Sequence, residues 1–469
     1  MNIDFKNIRR KFTEFTNELN ASNQGKLISF SFELKKYDSL SFADRINQNF
    51  DDIFIFGSPS SKNILIGINS AVELIDSNSK KFNEAAENYS RFKNNIINNS
   101  DVTDAHFHPI IFCSAKFDPS KNLSLWKDFD SLRLYIPEII FSFRNEKTFA
   151  HYNFLAGDKK SLNDKLARLE NYLNLIFGAS SIKHTALDDY TSVSSKESDV
   201  GLKNWNEAVT EAIDKLKNDQ LEKIVLSRVY SFVPKSEIKW EKLLSKLHER
   251  FPDCYLFFIK KNESIFFGSS PEMFLRVRNS TAEVESVAGS APRGEKSESD
   301  YELERYLKSS DKNHREHLFV SDFISDILIQ YSNDVRIIEE KQIRKLDNIQ
   351  HLITKISAVL NSKENIFELI DSLFPTPAVC GVPKDTAMEM IRTLENHDRG
   401  LYSGLVGVFD FDGNCELAVT IRSALIKGNC VTAFAGAGLL KNSDPEEELL
   451  ETNLKLNTIL SLFENENKS

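Results

Sequence analysis

Short apolar runs alternate with amphipathic stretches along most of the chain. FIFG (54–57), NILIGI (63–68), HPIIFCSAKF (108–117) and LRLYIPEIIFSF (132–143) predict strands separated by turns. Residues 1–35 predict a short amphipathic helix and the strand KLISFSFEL, and residues 72–98 and 161–176 predict helices. The pattern sharpens at Trp205, where Trp205, Val209, Ile213 and Leu216 mark one side of a helix running to Lys217. KIVLSRVYSFV predicts a strand and LLSKLHERF a helix, followed by strands CYLFFIKK and SIFFGSS with a turn at Lys261-Asn262. MFLRVRN and AEVESVAGS predict a hairpin about Asn279-Ser280. Tyr301 to Tyr331 predicts one long helical region with a break near Ser309, then strand VRIIEEKQIRKL and helices over 364–372 and 384–394. The last helix runs from Pro445 to about Phe463, with Asp444 as N-cap and Pro445 in its first turn. Mixed hairpins and helices predict an α+β fold of large, mostly antiparallel sheets with helices packed outside. The Ser- and Asp-rich stretch Leu187–Gly201 predicts a linker, dividing an N-terminal α/β region (1–200) from a second region (201–469).

A chain of 469 residues is too long for one ordinary core, which agrees with that division. With 41% hydrophobic and 27% charged residues it reads as globular. A net charge of −10 counts against nucleic acid or an anionic membrane as the main partner, but not against a small anionic substrate met by local positive charge. Cys113, Cys254, Cys380, Cys415 and Cys430 are scattered, odd in number and without CxxC spacing, as expected in a reducing cytosol. The first residues lack an apolar leader, and no stretch approaches the ~20 apolar residues of a membrane span, so a cytoplasmic location is expected. No repeat, GxGxxG after a strand, or P-loop is present.

The densest chemistry lies between Glu395 and Lys455. VTIRSAL reads as an apolar strand carrying one inward arginine, Arg422, and a buried guanidinium needs an anionic partner. Ala435-Gly436-Ala437-Gly438 reads as a small-residue turn, either a plain bend or a place where backbone closely approaches a ligand. Glu448 and Glu451, three apart on a helix, share a face; they suit a helix N-terminus or a hard metal ion. Lys223 shares a strand face with Val225 and Ser227, where desolvation could make it a base; a solvated edge lysine is the plainer reading. Glu272, just past Pro271, is placed for acid–base work or is a surface glutamate. Glu316 falls on an otherwise apolar helix stripe with Phe323 and Ile327 and needs a partner such as a metal ion. Its neighbour His317, and His351 in IQHLIT, read as packed histidines.

Together, LEKIVLSR, FFGSSPEMFL, SVAGSAPRG, DKNHREH, IQHLIT, LFPTPAVCGVP, RGLYSGLVG, ELAVTIRSA, AFAGAGL and DPEEELLETNLKL occur in an order that resembles the chorismate-utilising enzymes, over roughly residues 200–463. LWKDFDSLRLYIPEIIFSF resembles them more loosely. The resemblance implies that family's fold, with the active site in a central cleft, and makes 201–469 the chorismate-binding catalytic region. It implies Lys223 as general base, Glu272 as general acid, and His351, Ala378, Arg422, Gly436 and Lys455 as substrate-binding positions. Glu316 and Glu451 are implied as Mg²⁺ ligands, with Glu448 a second or water-mediated carboxylate. Lys223 stands where anthranilate-forming members carry glutamine, which points to water as nucleophile and to no obligate glutaminase subunit. Ala288 stands where aminodeoxychorismate-forming members carry a lysine. PTPAVCG is similar to the isochorismate-forming members. Ser290 and Leu417 depart from the usual threonine and aromatic residue. The implied reaction is water addition at C2 of chorismate with loss of the C4 hydroxyl, for menaquinone or a siderophore. Further loss of pyruvate to give salicylate is the nearest alternative, and anthranilate formation a more distant one.

Overall fold

The computed structural model describes residues 3–463 apart from 60–61, 100–108, 122–123, 145, 179–193, 196–198 and 363–364. The expected linker Leu187–Gly201 falls mainly outside the described residues.

Two long ladders share one strand. The first runs Lys223–Val233, Cys430–Leu439, Ser423–Lys427, Ser264–Ser270, Tyr255–Lys261, Asp52–Ser58, Asn63–Glu73 and Leu132–Arg144, then Lys147–Leu155 and Leu27–Leu34. The second runs Ser332–Lys345, Ile349–Leu360, Thr281–Pro292, Met273–Arg278, Cys415–Val419, Leu405–Phe409 and Ile111–Ala115, ending again on Leu132–Arg144. Every pairing along this route is antiparallel; Ile96–Asn98 adds a parallel one to Leu27–Leu34. Strands before and after residue 200 pair directly, so the two regions expected from the sequence share one hydrogen-bonded system.

The period-two alternation of the strands builds the layers. Phe54 and Phe56 face an aromatic core with Phe257, Phe266, Phe112 and Val406, drawn from both ladders. Ile53 and Ile55 face the other way, onto helices Phe5–Asn17, Lys159–Phe177 and Trp240–Arg250 through Phe12, Leu173 and Leu244. On the second ladder, Ile111 and Cys113 point away from Phe112, into a core with Val320, Ile324 and Leu328 of helix Asp311–Tyr331. The order is helices, sheet, sheet, helices. No helix of the described residues is long and apolar enough to cross a membrane.

Several expectations change. Residues 72–98 are not one helix: the strand continues to Glu73, and a short helix, Ala86–Lys93, precedes strand Ile96–Asn98. The apolar residues there meet the core from separate elements, with Leu74, Phe82, Tyr89 and Phe92 all buried. The break expected near Ser309 falls at Ser310, whose side chain caps helix Asp311–Tyr331. The hairpin turn at Asn279-Ser280 is as expected, with φ of 50° and 70°, the left-handed pair that a two-residue loop requires. Ala435–Gly438 is not a turn but lies within strand Cys430–Leu439. Arg422 is not in a strand but in the gap between Cys415–Val419 and Ser423–Lys427, with φ of 54°.

That gap matters. Ser264–Ser270 pairs with Ser423–Lys427 in the first ladder, while Met273–Arg278 pairs with Cys415–Val419 in the second. Two neighbouring strands therefore cross between ladders at one level. Glu272 lies in one crossing and Arg422 in the other, tied by a hydrogen bond from the Val419 amide to the Glu272 carbonyl (3.1 Å). The N-terminal region supports the same place: Trp126 Nε1 donates to the Asp398 carbonyl at 2.9 Å, and its ring fills the space where a side chain on Gly400 would go.

Candidate functional site

A cleft enclosing about 680 Å³ of empty space, part of it open to solvent, lies at these crossings. Glu272, Glu316, His351, Ala378, Arg422, Gly436, Glu451 and Lys455 line it, so eight of the ten positions put forward from the sequence meet there. Lys223 stands behind its wall, and Glu448 lines a second, larger cavity that shares Ser290, Glu316, Gly438 and Glu451 with the first.

The cleft's floor is four adjacent strands. Glu272 follows Ser264–Ser270, Arg422 precedes Ser423–Lys427, Gly436 and Gly438 lie on Cys430–Leu439, and Lys223 starts the fourth. The strand that leads to Glu272 and the strand that starts at Lys223 are thus three places apart in the ladder. Arg422 and two glycines lie between them.

Glu272 is buried, and burial, reinforced by Glu285, pushes its carboxyl up to about 8, while Lys223 and Lys455 pull the other way. It is therefore protonated at neutral pH. Arg422 donates to Thr458 Oγ1 and to His351 Nε2, both at 3.1 Å, and has no carboxylate within salt-bridge distance among the described residues. Burial lowers its pKa from the usual arginine value. An arginine cannot accept a hydrogen bond, so His351 Nε2 is the acceptor and Nδ1 carries the proton, donating to Ser290 Oγ at 2.9 Å. Burial and Arg422 hold His351 neutral, well below its ordinary pKa. Strand register makes this possible, since Ser290 lies directly opposite His351, just past a bulge at Gly289 (φ 82°).

Lys223 is fully buried, with Nζ 3.1 Å from Glu316 Oε1 but misaligned for a hydrogen bond; its donors have no partner among the described residues. Glu316 is held towards the cleft by its neighbour. His317 is buried between the Ala288 carbonyl (3.2 Å) and Thr354 Oγ1 (2.7 Å), and burial brings its pKa to about 4. Lys455 donates to the Gly436 carbonyl at 2.8 Å and pairs with Glu451. Lys312 holds Glu448 at 2.9 Å. Burial and Glu451 push Glu448 up to about 7; burial would also raise Glu451, but Lys455 overrides it and brings that pKa down.

Glu316, Glu448 and Glu451 form an oxygen-only donor set of the kind a hard cation takes, and a lysine now balances each of them. Among the described residues, no three acidic, histidine or cysteine side chains stand together at ligating distance. The set fits in its chemistry, and ligation would require these side chains to draw in from their lysines.

Gly438 explains the small-residue run. A Cβ there would lie 2.3 Å from Glu316 Oε1 and 3.3 Å from Lys223 Cε. The obstructing atom is a side-chain end, so Gly438→Ala is expected to fold with near wild-type thermal stability while displacing the Glu316 carboxylate. A displacement of about 1 Å beside a reacting group costs about 10²-fold; turnover beside a melting curve checks it.

Residue-by-residue reading missed Val225, Tyr402 and Phe434 in the lining, and Lys312 beside it. Tyr402 stacks on Phe434 at 5.2 Å between ring centroids, a contact between distant segments that no local pattern announces.

A family model described as chorismate binding enzyme matches residues 14–464. The chain belongs to the chorismate-binding enzymes. It is 28% identical over 454 residues to the isochorismate synthase MenF of Bacillus subtilis, covering 95% of each chain. It is 32% identical over 334 residues to isochorismate synthase MenF of Haemophilus influenzae, covering 71% of this chain and 75% of that one. The solved structure of MenF, the menaquinone-specific isochorismate synthase of Escherichia coli, matches with a TM-score of 0.79 at 21% identity over 98% of each chain, and shows the fold.

Proposed function

We propose that this protein is an isochorismate synthase, converting chorismate to isochorismate by adding water at C2 and releasing the C4 hydroxyl. The observation that carries the reading is the placement of a protonated carboxyl, Glu272, and a buried lysine, Lys223, on either side of a guanidinium that has no carboxylate partner among the described residues. Chorismate is a dianion with a poor leaving group. Arg422 and Lys455 take its carboxylates, and neutral His351 orients the ring carboxylate through its link to Arg422. Glu272 delivers its proton to the departing hydroxyl, and Lys223 acts as the general base that takes one from the attacking water. Glu316 and Glu451, with Glu448 beside them, would hold Mg²⁺. When bound, Mg²⁺ would supply Lewis-acid chemistry at the substrate, and Lys223 and Lys455 would then no longer be needed to balance Glu316 and Glu451. The protein acts in the cytoplasm without a glutaminase subunit.

Ala378 and Val379 line the cleft and offer no proton acceptor. Pyruvate therefore stays attached to the ring. Wild-type protein with chorismate and Mg²⁺ is expected to give isochorismate by chromatography, with no pyruvate in a lactate-dehydrogenase-coupled assay beyond slow decay of the product. Stoichiometric pyruvate and salicylate at the enzyme's own rate would replace this reading with salicylate synthase. For the metal, Glu316→Gln and Glu451→Gln should each shift the Mg²⁺ dependence of activity to higher concentration. An unchanged dependence removes that residue from the ligand set.

A further inference from the structure

A charged pair that never touches the cleft holds two of its walls. The side chains of Arg399 and Glu395 are each 2% exposed. Arg399 Nη1 donates to the Val379 carbonyl at 2.8 Å and Nη2 to the Val225 carbonyl at 2.7 Å. Nη2 and Nε also meet the Glu395 carboxylate, at 2.6 and 2.9 Å. Glu395 Oε1 in turn accepts from the Ser227 amide at 2.7 Å and from Ser227 Oγ at 3.0 Å. The guanidinium stacks 4.2 Å over the ring of Phe117, which fixes its plane.

Val225 and Val379 both line the cleft. Val225 and Ser227 follow Lys223 on the same strand face, so the pair grips this strand at two points just beyond the lysine. Val379 belongs to the segment that presents Ala378. The two walls already touch, with the Val225 amide donating to the Cys380 carbonyl at 2.7 Å and Gly381 paired to Ile224. A buried Arg–Glu pair is no better for stability than apolar residues of the same volume. What it adds is a planar fork of fixed geometry spanning both walls.

We propose that Arg399 is a positioning residue: through the Val225 and Val379 carbonyls it sets the registry of the wall carrying Lys223 against the wall carrying Ala378. The inference rests on the proposed function for the identity of the reaction, and on the hydrogen bonds alone for the coupling. Arg399→Ala is expected to lower kcat for chorismate by about 100-fold, the cost of misplacing a reacting group by about 1 Å, with KM little changed. Added methylguanidinium should restore part of the lost turnover, whereas methylurea, which is neutral, should not. Arg399→Lys, which keeps the charge against Glu395 but loses the fork, guards against a variant that fails to fold. It should also lose kcat per folded molecule, and amide exchange at Val225 should speed up at an unchanged melting temperature. Wild-type kcat per folded molecule and unchanged Val225 exchange in Arg399→Lys would overturn the proposal, as would a folded Arg399→Ala that methylguanidinium does not rescue. A different product from wild-type protein would sink the proposed reaction instead, and the exchange measurement would still decide the coupling.

Discussion

Turnover of chorismate is expected to fall about 10²–10⁴-fold when Lys223 is replaced by alanine, the usual cost of losing one general base. The fold should survive the change. Lys223 is fully buried against Glu316, but Glu316 reaches the cleft and keeps 15% of its side-chain surface, so water can solvate the carboxylate left behind. Chorismate binding should also survive, because Arg422 and Lys455 are held by other partners, Thr458 and His351 for the first and the Gly436 carbonyl for the second. Single-turnover chromatography alongside equilibrium binding separates the two effects. Near wild-type turnover would remove Lys223 as the base.

Glu272→Gln should lose a similar factor, because glutamine cannot deliver the proton to the leaving hydroxyl. The pH dependence gives a sharper signature. With its pKa at about 8, Glu272 is an acid below that pH and a carboxylate above it. Wild-type kcat/KM should therefore fall as pH rises through about 8, and this limb should vanish in the variant. Stability follows the same linkage. An unfolded glutamate ionises near 4.3, whereas folded Glu272 holds its proton to about 8. The folded state thus binds more protons across that window, and its stability declines as pH rises through it. Glutamine removes this term, so Glu272→Gln should gain thermal stability over wild type at pH 9 more than at pH 5. A pH profile that keeps its alkaline limb in the variant would assign that limb to another group.

What the chain determined by itself was local and periodic. The hairpin at Asn279-Ser280, the capped helix from Pro445 and the helix Lys384–Leu394 follow from turn chemistry, caps and spacing that act within a few residues. The candidate chemistry was legible as residue types that are costly to bury without a function: Arg422 in an apolar run and Glu316 on an apolar stripe. Their convergence on one cleft was legible only through the order of motifs, because Glu272, His351 and Arg422 approach one another through pairings between distant strands, and Glu316 and Glu451 come from helices packed on those strands. Tertiary structure alone decided the rest. Ala435–Gly438 reads locally as a turn, yet pairing with Lys223–Val233 stretches it into a strand whose missing side chains leave room for Glu316. Arg422 reads as a strand residue, yet two adjacent strands change ladders at its level and bend it out of the sheet. Glu272 reads locally as either an acid–base group or a surface glutamate; burial beside Glu285 makes it an acid at neutral pH. Periodicity and caps record interactions within a segment, whereas desolvation, ion pairing and strand crossings depend on which segments the fold brings together.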